Sequence, residues 1–170
     1  MDEWTQRLSP PRYAMRVEKD VSVTARDGTR LAVDVYRPDA PGRFPALLSM
    51  SPYGKDIQKV GEVALPVNPV RGNGGQEAGD STYFVPRGYV HVIADVRGSG
   101  NSEGEFSYGG RKEQEGGYDL VEWMAEQPWC DGNVGMLGMS YFGRIQLLTA
   151  AQNPPHLRAI APFEANTDAY

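Results

Sequence analysis

The chain has 170 residues, carries a formal net charge of −5, and is 40% hydrophobic and 23% charged. This composition is typical of a globular domain, and the absence of a Lys/Arg-rich stripe argues against nucleic acid as a partner. No apolar run reaches the length of a membrane span, and the single cysteine, Cys130, excludes an internal disulfide and a cysteine metal cluster.

The N-terminal region is predicted to contain an arm followed by a β-hairpin. Residues 1–15 are interpreted as a loose arm, and because they lack the basic start and apolar segment of a signal peptide, we expect a cytoplasmic protein. Alternating residues in 21–25 and 30–36 flank the tight-turn pair Asp27-Gly28, which predicts the hairpin. Residues 16–170 are interpreted as a partial α/β domain.

Beyond the hairpin, predicted strands alternate with predicted helices. Residues 55–80 show no clear period and are interpreted as a surface excursion, and Asp131-Gly132 as a turn that leads into a strand. The predicted strands lie in 44–54, 89–100, 133–140 and 157–165, and the predicted helical segments in 81–88, 113–128 and 141–152. The alternation predicts an α/β fold: a β-hairpin followed by a mostly parallel sheet with helices on both faces.

Ser140 lies where a predicted strand ends and a helix begins, in the segment "GMSYFG". Ligand chemistry in an open parallel sheet lies at the carboxyl ends of the strands, and the G-x-S-x-G nucleophile elbow exposes a serine there. Phe142 stands in place of the second glycine, and Gly143 follows it, where it is expected to face the neighbouring strand. The pattern alone leaves two interpretations open: a nucleophile whose oxyanion binds the Tyr141 N–H, or a serine that N-caps the helix.

Several motifs in the same order resemble the cocaine esterase and Xaa-Pro dipeptidyl-peptidase (CocE/NonD-type) group of α/β-hydrolases. They are "VTARDGTRLAVDVYRP", "SPYGK", "GYVHVIADVRGSGNSEGEF" and "QPWCDGNVGMLGMSYFG", and they cover nearly the whole chain. The resemblance implies the N-terminal portion of an α/β-hydrolase fold and a serine hydrolase of esters or amides that forms an acyl-enzyme through Ser140. No cofactor or metal is expected.

The resemblance also implies a role for Tyr53, in "SPYGK", as a hydroxyl donor to the oxyanion beside the Tyr141 N–H. Without the resemblance, a tyrosine in a Pro-Tyr-Gly turn is interpreted as a packing residue. Candidate substrates by resemblance are aromatic esters, α-amino acid esters, acyl amides of β-lactam type and X-Pro peptides. The expected partner is therefore a small-molecule ester, amide or peptide, and neither a nucleic acid nor a membrane.

The triad partners of Ser140 are not found among these residues. His91 is expected about 13 Å from the carboxyl end of its strand, and His156 about 18 Å from Ser140 along the helix. The resemblance implies that the Asp and the His follow residue 170, together with a cap and a C-terminal β-sandwich. We therefore expect a truncated chain that is inactive alone, and that self-associates or is complemented by its missing part. The alternative is an inactive fragment or pseudoenzyme subunit that needs a partner.

The remaining candidate sites have simpler interpretations. The glycines of "RGSGNSEG" miss the spacing of a dinucleotide loop, and the resemblance implies a structural turn held by Asp95 and Arg97. Glu103 and Glu105 on this turn are interpreted as solvated. Cys130 has no basic neighbour in the sequence that would activate it. The tryptophans are interpreted as core or anchoring residues, and they are Trp4, Trp123 and Trp129.

Overall fold

The computed structural model describes residues 8–59 and 77–166, which form one mixed sheet flanked by helices. The strands are β1 (Met15–Thr24), β2 (Arg30–Pro38), β3 (Phe44–Ser51), β4 (Val90–Asp95), β5 (Cys130–Met139) and β6 (Leu157–Phe163). The helices are α1 (Ser81–Phe84), α2 (Arg111–Glu126) and α3 (Tyr141–Ala151), with 3₁₀ turns at Asp56–Lys59 and Val85–Arg87.

The sheet order is β1-β2-β4-β3-β5-β6, which confirms the predicted α/β fold. The hairpin strands β1 and β2 are antiparallel, β2 pairs antiparallel with β4, and the remaining neighbours are all parallel. Successive residues of β4 face opposite sides, so that Val92 packs in one apolar cluster with α2 and Ile93 in a second cluster with Val85. Helical segments therefore cover both faces of the sheet, as the sequence predicts.

Two predicted boundaries differ from the structure because the backbone is irregular there. Strand β1 begins six residues before the predicted 21–25, and its register shifts between Glu18 and Val21, where Asp20 has a φ of 53°. This irregularity interrupts the alternation that a strand prediction relies on. The predicted turn at Asp131-Gly132 was placed before its strand, but β5 already includes it, with Gly132 at a φ of 88°. Of the predicted excursion, residues 60–76 lie outside the described part of the chain.

A cluster of charges around the buried Lys55 connects the hairpin to the segment that follows β3. The Lys55 side chain is fully buried, and its ammonium lies 2.6 Å from Asp20, 3.4 Å from Asp34 and 3.2 Å from Asp56. Burial disfavours the charged ammonium, but the hydrogen bond to Asp20 and the attraction of the other carboxylates outweigh it, so the pKa of Lys55 is raised. Lys19 also binds Asp34, which is itself fully buried.

Gly143, on the first turn of α3, allows that helix to approach β6 closely. A Cβ on this residue would lie 2.8 Å from the Phe163 carbonyl oxygen and 3.0 Å from the Ala165 Cβ, both of which are fixed to the backbone. The displaced glycine thus faces the neighbouring strand, as predicted from its position after Ser140. The contact fixes α3, and the turn before it, relative to the sheet.

The buried position of Lys55 predicts a large loss of stability in Lys55→Met. The substitution leaves the fully buried Asp34 without one of its cations, and we expect about 3 kcal/mol less free energy of unfolding in urea at pH 7. The control is Lys19→Met, which removes a second cation from the same carboxylate. Because the Lys19 side chain is 41% exposed, its loss should cost about 1 kcal/mol or less. Equal losses in the two variants would contradict the assignment of Lys55 as the central cation.

The difference between wild type and Lys55→Met is also expected to depend on pH. The hydrogen bond from Lys55 holds the pKa of Asp20 below its ordinary value of 3.8. A lowered carboxyl pKa stabilises the fold above about pH 4, and this contribution is lost as the pH falls through the lowered pKa. The gap between the two urea midpoints should therefore narrow on acidification below pH 4, and a gap that widens there would oppose this explanation.

The close contact at Gly143 predicts that Gly143→Ala destabilises the protein, although alanine is the better helix former. Gly116 in α2 is the matched control, because a Cβ there meets only the Leu31 Cδ1 at 3.5 Å, an ordinary contact. We expect Gly116→Ala to raise the free energy of unfolding by up to about 1 kcal/mol, whereas Gly143→Ala should lower it, as measured by thermal or urea unfolding. A stabilising Gly143→Ala would show that α3 does not approach β6 this closely.

Candidate active site

Ser140 occupies a strained turn between β5 and α3. Its φ of 60° and ψ of −118° lie outside the conformations that non-glycine residues commonly adopt, and such a residue costs on the order of 1–3 kcal/mol. The serine side chain makes no capping hydrogen bond to α3. The N-cap interpretation is therefore wrong, and the geometry is that of a sharp strand-to-helix turn carrying a serine hydroxyl.

The residues around Ser140 explain why the second glycine is displaced. Gly138 has a φ of 137°, and a Cβ there would lie 2.4 Å from the Phe142 Cβ and 3.0 Å from the Glu77 carbonyl oxygen. Phe142 is 1% exposed, and its ring packs in the apolar cluster beneath the sheet rather than against β6. A large residue therefore fits at position 142, while the close approach to β6 falls on Gly143.

A pocket of about 360 Å³ opens beside Ser140. It brings together the three residues that the sequence predicts for catalysis, because Tyr53 and Tyr141 line it with the serine. The remaining lining residues are Tyr108, Arg144, Glu164, Ala165 and Asn166. The pocket lies where β3, β5 and β6 end, which is the edge of a parallel sheet at which ligands bind.

Tyr53 is held at the pocket by its loop and by neighbouring rings. Its side chain is 47% exposed, and its ring meets those of Tyr141 and Phe142 edge-on, with centroids 5.8 Å and 6.4 Å apart. The loop is fixed by the Tyr53 N–H, which donates to the Ser51 hydroxyl at 3.2 Å, and by the Lys55 N–H, which donates to Asp95 at 2.7 Å. The tyrosine thus presents a polar tip on an anchored ring, and its catalytic role stays a prediction.

Tyr141 contributes two different groups to this region. Its backbone N–H is the first of α3, and the first N–H groups of a helix have no partner within the helix. Its side chain is 6% exposed, and its hydroxyl donates to the Oε1 of Glu113 in α2. Burial raises the pKa of Glu113, opposed in part by this hydrogen bond, and burial together with the hydrogen bond to Glu113 raises the pKa of Tyr141.

The two histidines lie away from Ser140, as predicted. His91 is fully buried in β4, and its ring nitrogens lie 3.0 Å from the Ser49 hydroxyl and 2.9 Å from the Ser81 hydroxyl. His156 lies at the start of β6, where its Nδ1 is 2.7 Å from Glu122 and its carbonyl accepts the Val134 N–H. His156 lies beside the end of β5 opposite to Ser140, and both ring nitrogens of His91 are engaged by other serines, so neither ring is positioned to act on Ser140.

The glycine-rich segment after β4 is a structural turn. The carboxylate of Asp95 accepts the N–H groups of Lys55 and Asn101, and a Cβ on Gly100 would lie 2.1 Å from it. Gly104 allows the Arg97 side chain to cross the turn and reach Asp27 at 3.0 Å. The interpretation that Asp95 and Arg97 hold this turn agrees with these contacts.

The structure adds detail to two minor interpretations. Glu103 is exposed, as predicted, and its carboxylate forms an ion pair with Arg30 on β2, which lowers the pKa of Glu103. Cys130 does have a basic neighbour: the Arg43 guanidinium donates to its carbonyl oxygen. The thiol is nevertheless inert in character, because burial raises its pKa.

The tryptophans are interpreted from the sequence as core or anchoring residues, and the structure agrees for two of the three. Trp123 and Trp129 pack edge-on against each other, with centroids 6.1 Å apart, at the border of the main core. Trp4 lies outside the described residues. No helix in residues 8–59 or 77–166 is long and apolar enough to cross a membrane.

Sequence reasoning missed several polar residues near the pocket, above all Glu113 and Arg144. Glu113 had a weak signal, since it is a charged residue on the buried stripe of a predicted amphipathic helix. The guanidinium of Arg144 stacks on the ring of Tyr108, 4.5 Å from its centroid. Tyr108 is also not predicted from the sequence. Nothing in the order of the sequence connects these residues before the fold is known.

Comparisons with known proteins identify relatives of this chain in sequence and in fold. The cocaine esterase of Rhodococcus sp. (strain MB1 Bresler) is 42% identical over 155 residues, which cover 91% of this chain and 24% of the esterase. The crystal structure of a CocE/NonD family hydrolase from Staphylococcus aureus superposes with a TM-score of 0.81 at 36% identity, covering 92% of this chain and 29% of that one. An α-amino acid ester hydrolase structure gives a TM-score of 0.67 at 26% identity, with 91% of this chain and 26% of that one covered.

The chain thus spans about a quarter of the length of the relatives it matches, and it corresponds to their N-terminal part. Its fold is that portion of the α/β-hydrolase fold. The family described as "X-Pro dipeptidyl-peptidase (S15 family)" matches residues 27–170 of the sequence. The chain therefore belongs to this family of hydrolases.

Proposed function

We propose that the protein is a serine hydrolase of esters or amides in which Ser140 forms the acyl-enzyme. The observation that carries the proposal is the pocket lined by Ser140, Tyr53 and Tyr141, the first residue of α3. In it, the serine has strained torsion angles and its side chain does not cap α3. Substrates of the relatives suggest the class, since one is named a cocaine esterase and another an α-amino acid ester hydrolase. The family is described as X-Pro dipeptidyl-peptidases, so peptides are also candidate substrates.

In the proposed reaction, the Ser140 Oγ attacks the substrate carbonyl carbon while a base accepts the hydroxyl proton. The carbonyl oxygen becomes an oxyanion, which the Tyr53 hydroxyl and the Tyr141 N–H stabilise by hydrogen bonds. Collapse breaks the bond to the leaving group, which takes the proton back from the base and departs as an alcohol or amine, leaving an acyl-serine. Water then attacks this ester, releases the acid and restores Ser140. Fixed donors aimed at developing charge are usually the largest catalytic contribution of such a site.

The proposal places the base and its acid partner in sequence after Ser140, as in the α/β-hydrolase order of serine, acid and histidine. His91 and His156 are engaged at other parts of the sheet. Without a base, the serine hydroxyl is a weak nucleophile. The engagement of both histidines elsewhere and the weakness of a serine without a base also support a second candidate function. In that function, residues 1–170 on their own are an inactive subunit that a partner completes. A cytoplasmic location remains part of the proposal, and cell fractionation tests it.

The nucleophile assignment predicts selective labelling by a fluorophosphonate in a longer chain that also supplies the acid and the histidine. Only an activated serine attacks phosphorus at a useful rate, so intact-mass spectrometry should show one adduct, absent in Ser140→Ala. Ser107→Ala, which removes an exposed serine next to the pocket residue Tyr108, is the control and should label normally. Residues 1–170 alone should label at a rate no higher than their Ser140→Ala variant. An adduct on another serine would contradict the elbow assignment.

The oxyanion role predicts a selective loss in Tyr53→Phe, which keeps the ring and its contacts. In the same longer chain, kcat for a p-nitrophenyl ester should fall on the order of 10²–10³-fold, about 3–4 kcal/mol, because a transition-state hydrogen bond is lost. KM should change little, since the ground state does not need that bond. A loss below tenfold accompanied by a lower melting temperature would instead identify Tyr53 as a packing residue.

A further inference from the structure

Glu113 is a buried carboxylate that the proposed reaction does not use directly. It lies in the first turn of α2, is 2% exposed, and accepts the Gly109 N–H at 2.8 Å through Oε2 and the Tyr141 hydroxyl through Oε1. Other acids of α2 bind side chains nearer the surface, as Glu115 does with Arg111 and Glu122 with His156. Among the described residues, Glu113 forms no ion pair.

A buried carboxylate of this kind is a poor source of stability. Its removal from water is costly, and two hydrogen bonds offset that cost without exceeding what well-packed apolar side chains provide. What the carboxylate does provide is direction, because its oxygens prefer to accept hydrogen bonds near the plane of the carboxylate. The Tyr141 ring is therefore held at a fixed angle at the start of α3.

The Tyr141 ring also connects the two proposed oxyanion donors. Its own backbone supplies one donor, and the ring of Tyr53, which supplies the other, meets it edge-on at 5.8 Å. The ring also meets that of Tyr108 edge-on, with centroids 5.5 Å apart, so that two aromatic side chains contact it. A shift of the Tyr141 ring would therefore displace both donors relative to Ser140.

We propose that Glu113 is a positioning residue that, through the Tyr141 hydroxyl, holds both oxyanion donors in register with Ser140. This inference rests on the proposed function, and it adds a residue that touches neither the substrate nor the reacting atoms. Its effect is on the transition state, because the donors bind the oxyanion more strongly than the ground-state carbonyl. Misplacement of catalytic groups by small distances is known to cost enzymes large factors in rate.

The test uses a longer chain with the complete triad and measures kcat, KM and melting temperature with a p-nitrophenyl ester. Tyr141→Phe removes the hydroxyl and keeps the ring, and Glu113→Leu removes the carboxylate. Each is expected to lower kcat about tenfold with KM changed less than twofold, at a temperature far below unfolding. Glu113→Gln keeps an acceptor oxygen and should retain at least half of kcat. Glu115→Gln, on the same helix, is the matched control and should behave as wild type.

A double-mutant cycle separates positioning from a general loss of stability. If Glu113 acts through the donors, Glu113→Leu should lower kcat less in a Tyr53→Phe background than in wild type, because one of the donors it positions is already absent. Equal effects in both backgrounds overturn the inference, as do a kcat within twofold of wild type in Tyr141→Phe or a loss confined to KM. Hydrolysis that survives Ser140→Ala overturns the proposed function itself, whatever the Glu113 variants do.

Discussion

The approach of three backbone segments at the turn around Ser140 is the constraint on which the site depends. Gly138 lies against Phe142 and the Glu77 carbonyl, and Gly143 lies against Phe163 of β6. A side chain at either glycine would force the segments apart, and the strained torsion angles of the serine persist only because the surroundings fix them. Close packing of this kind is why a serine hydroxyl can stand at the edge of the sheet instead of capping its helix.

Around this turn, buried charges fix loops that apolar packing alone would leave free. Lys55 connects the loop of Tyr53 to the hairpin carboxylates, and Glu113 connects Tyr141 to α2. The two clusters differ in sign, so that one surrounds a cation with carboxylates and the other leaves a carboxylate with neutral donors. Their common effect is geometric, because a desolvated charge tolerates little displacement of its hydrogen-bond partners. The two aromatic rings at the pocket are therefore each positioned by a separate set of polar contacts.

The sequence predicts the parts of this arrangement whose signal is local. The alternating runs around Asp27-Gly28 predict the hairpin, and the strand-serine-helix order predicts where Ser140 lies, because both depend on neighbours in the chain. The contact of Glu113 with Tyr141 spans 28 residues, and that of Lys55 with Asp20 depends on an irregularity in β1. No period or motif encodes such pairs, since they arise only when the sheet order β1-β2-β4-β3-β5 brings the segments together. The roles of the site residues come from the family resemblance rather than from any pattern.

The fold also explains why the proposed nucleophile and the proposed oxyanion donors lie together, and why the proposal requires a base from another part of the fold. Parallel strands β3 and β5 are neighbours, so the turns that follow them bring Tyr53 and Ser140 to one pocket without any further element. A histidine on β4 or at the start of β6 cannot join them, because the same parallel order that aligns the carboxyl ends places those residues within the sheet or at its other end. His91 is accordingly used as a buried link between Ser49 and Ser81. In such a sheet, the base of a hydrolase has to arrive on a loop that follows the carboxyl end of another strand, and this is the part of the site on which the proposed activity depends.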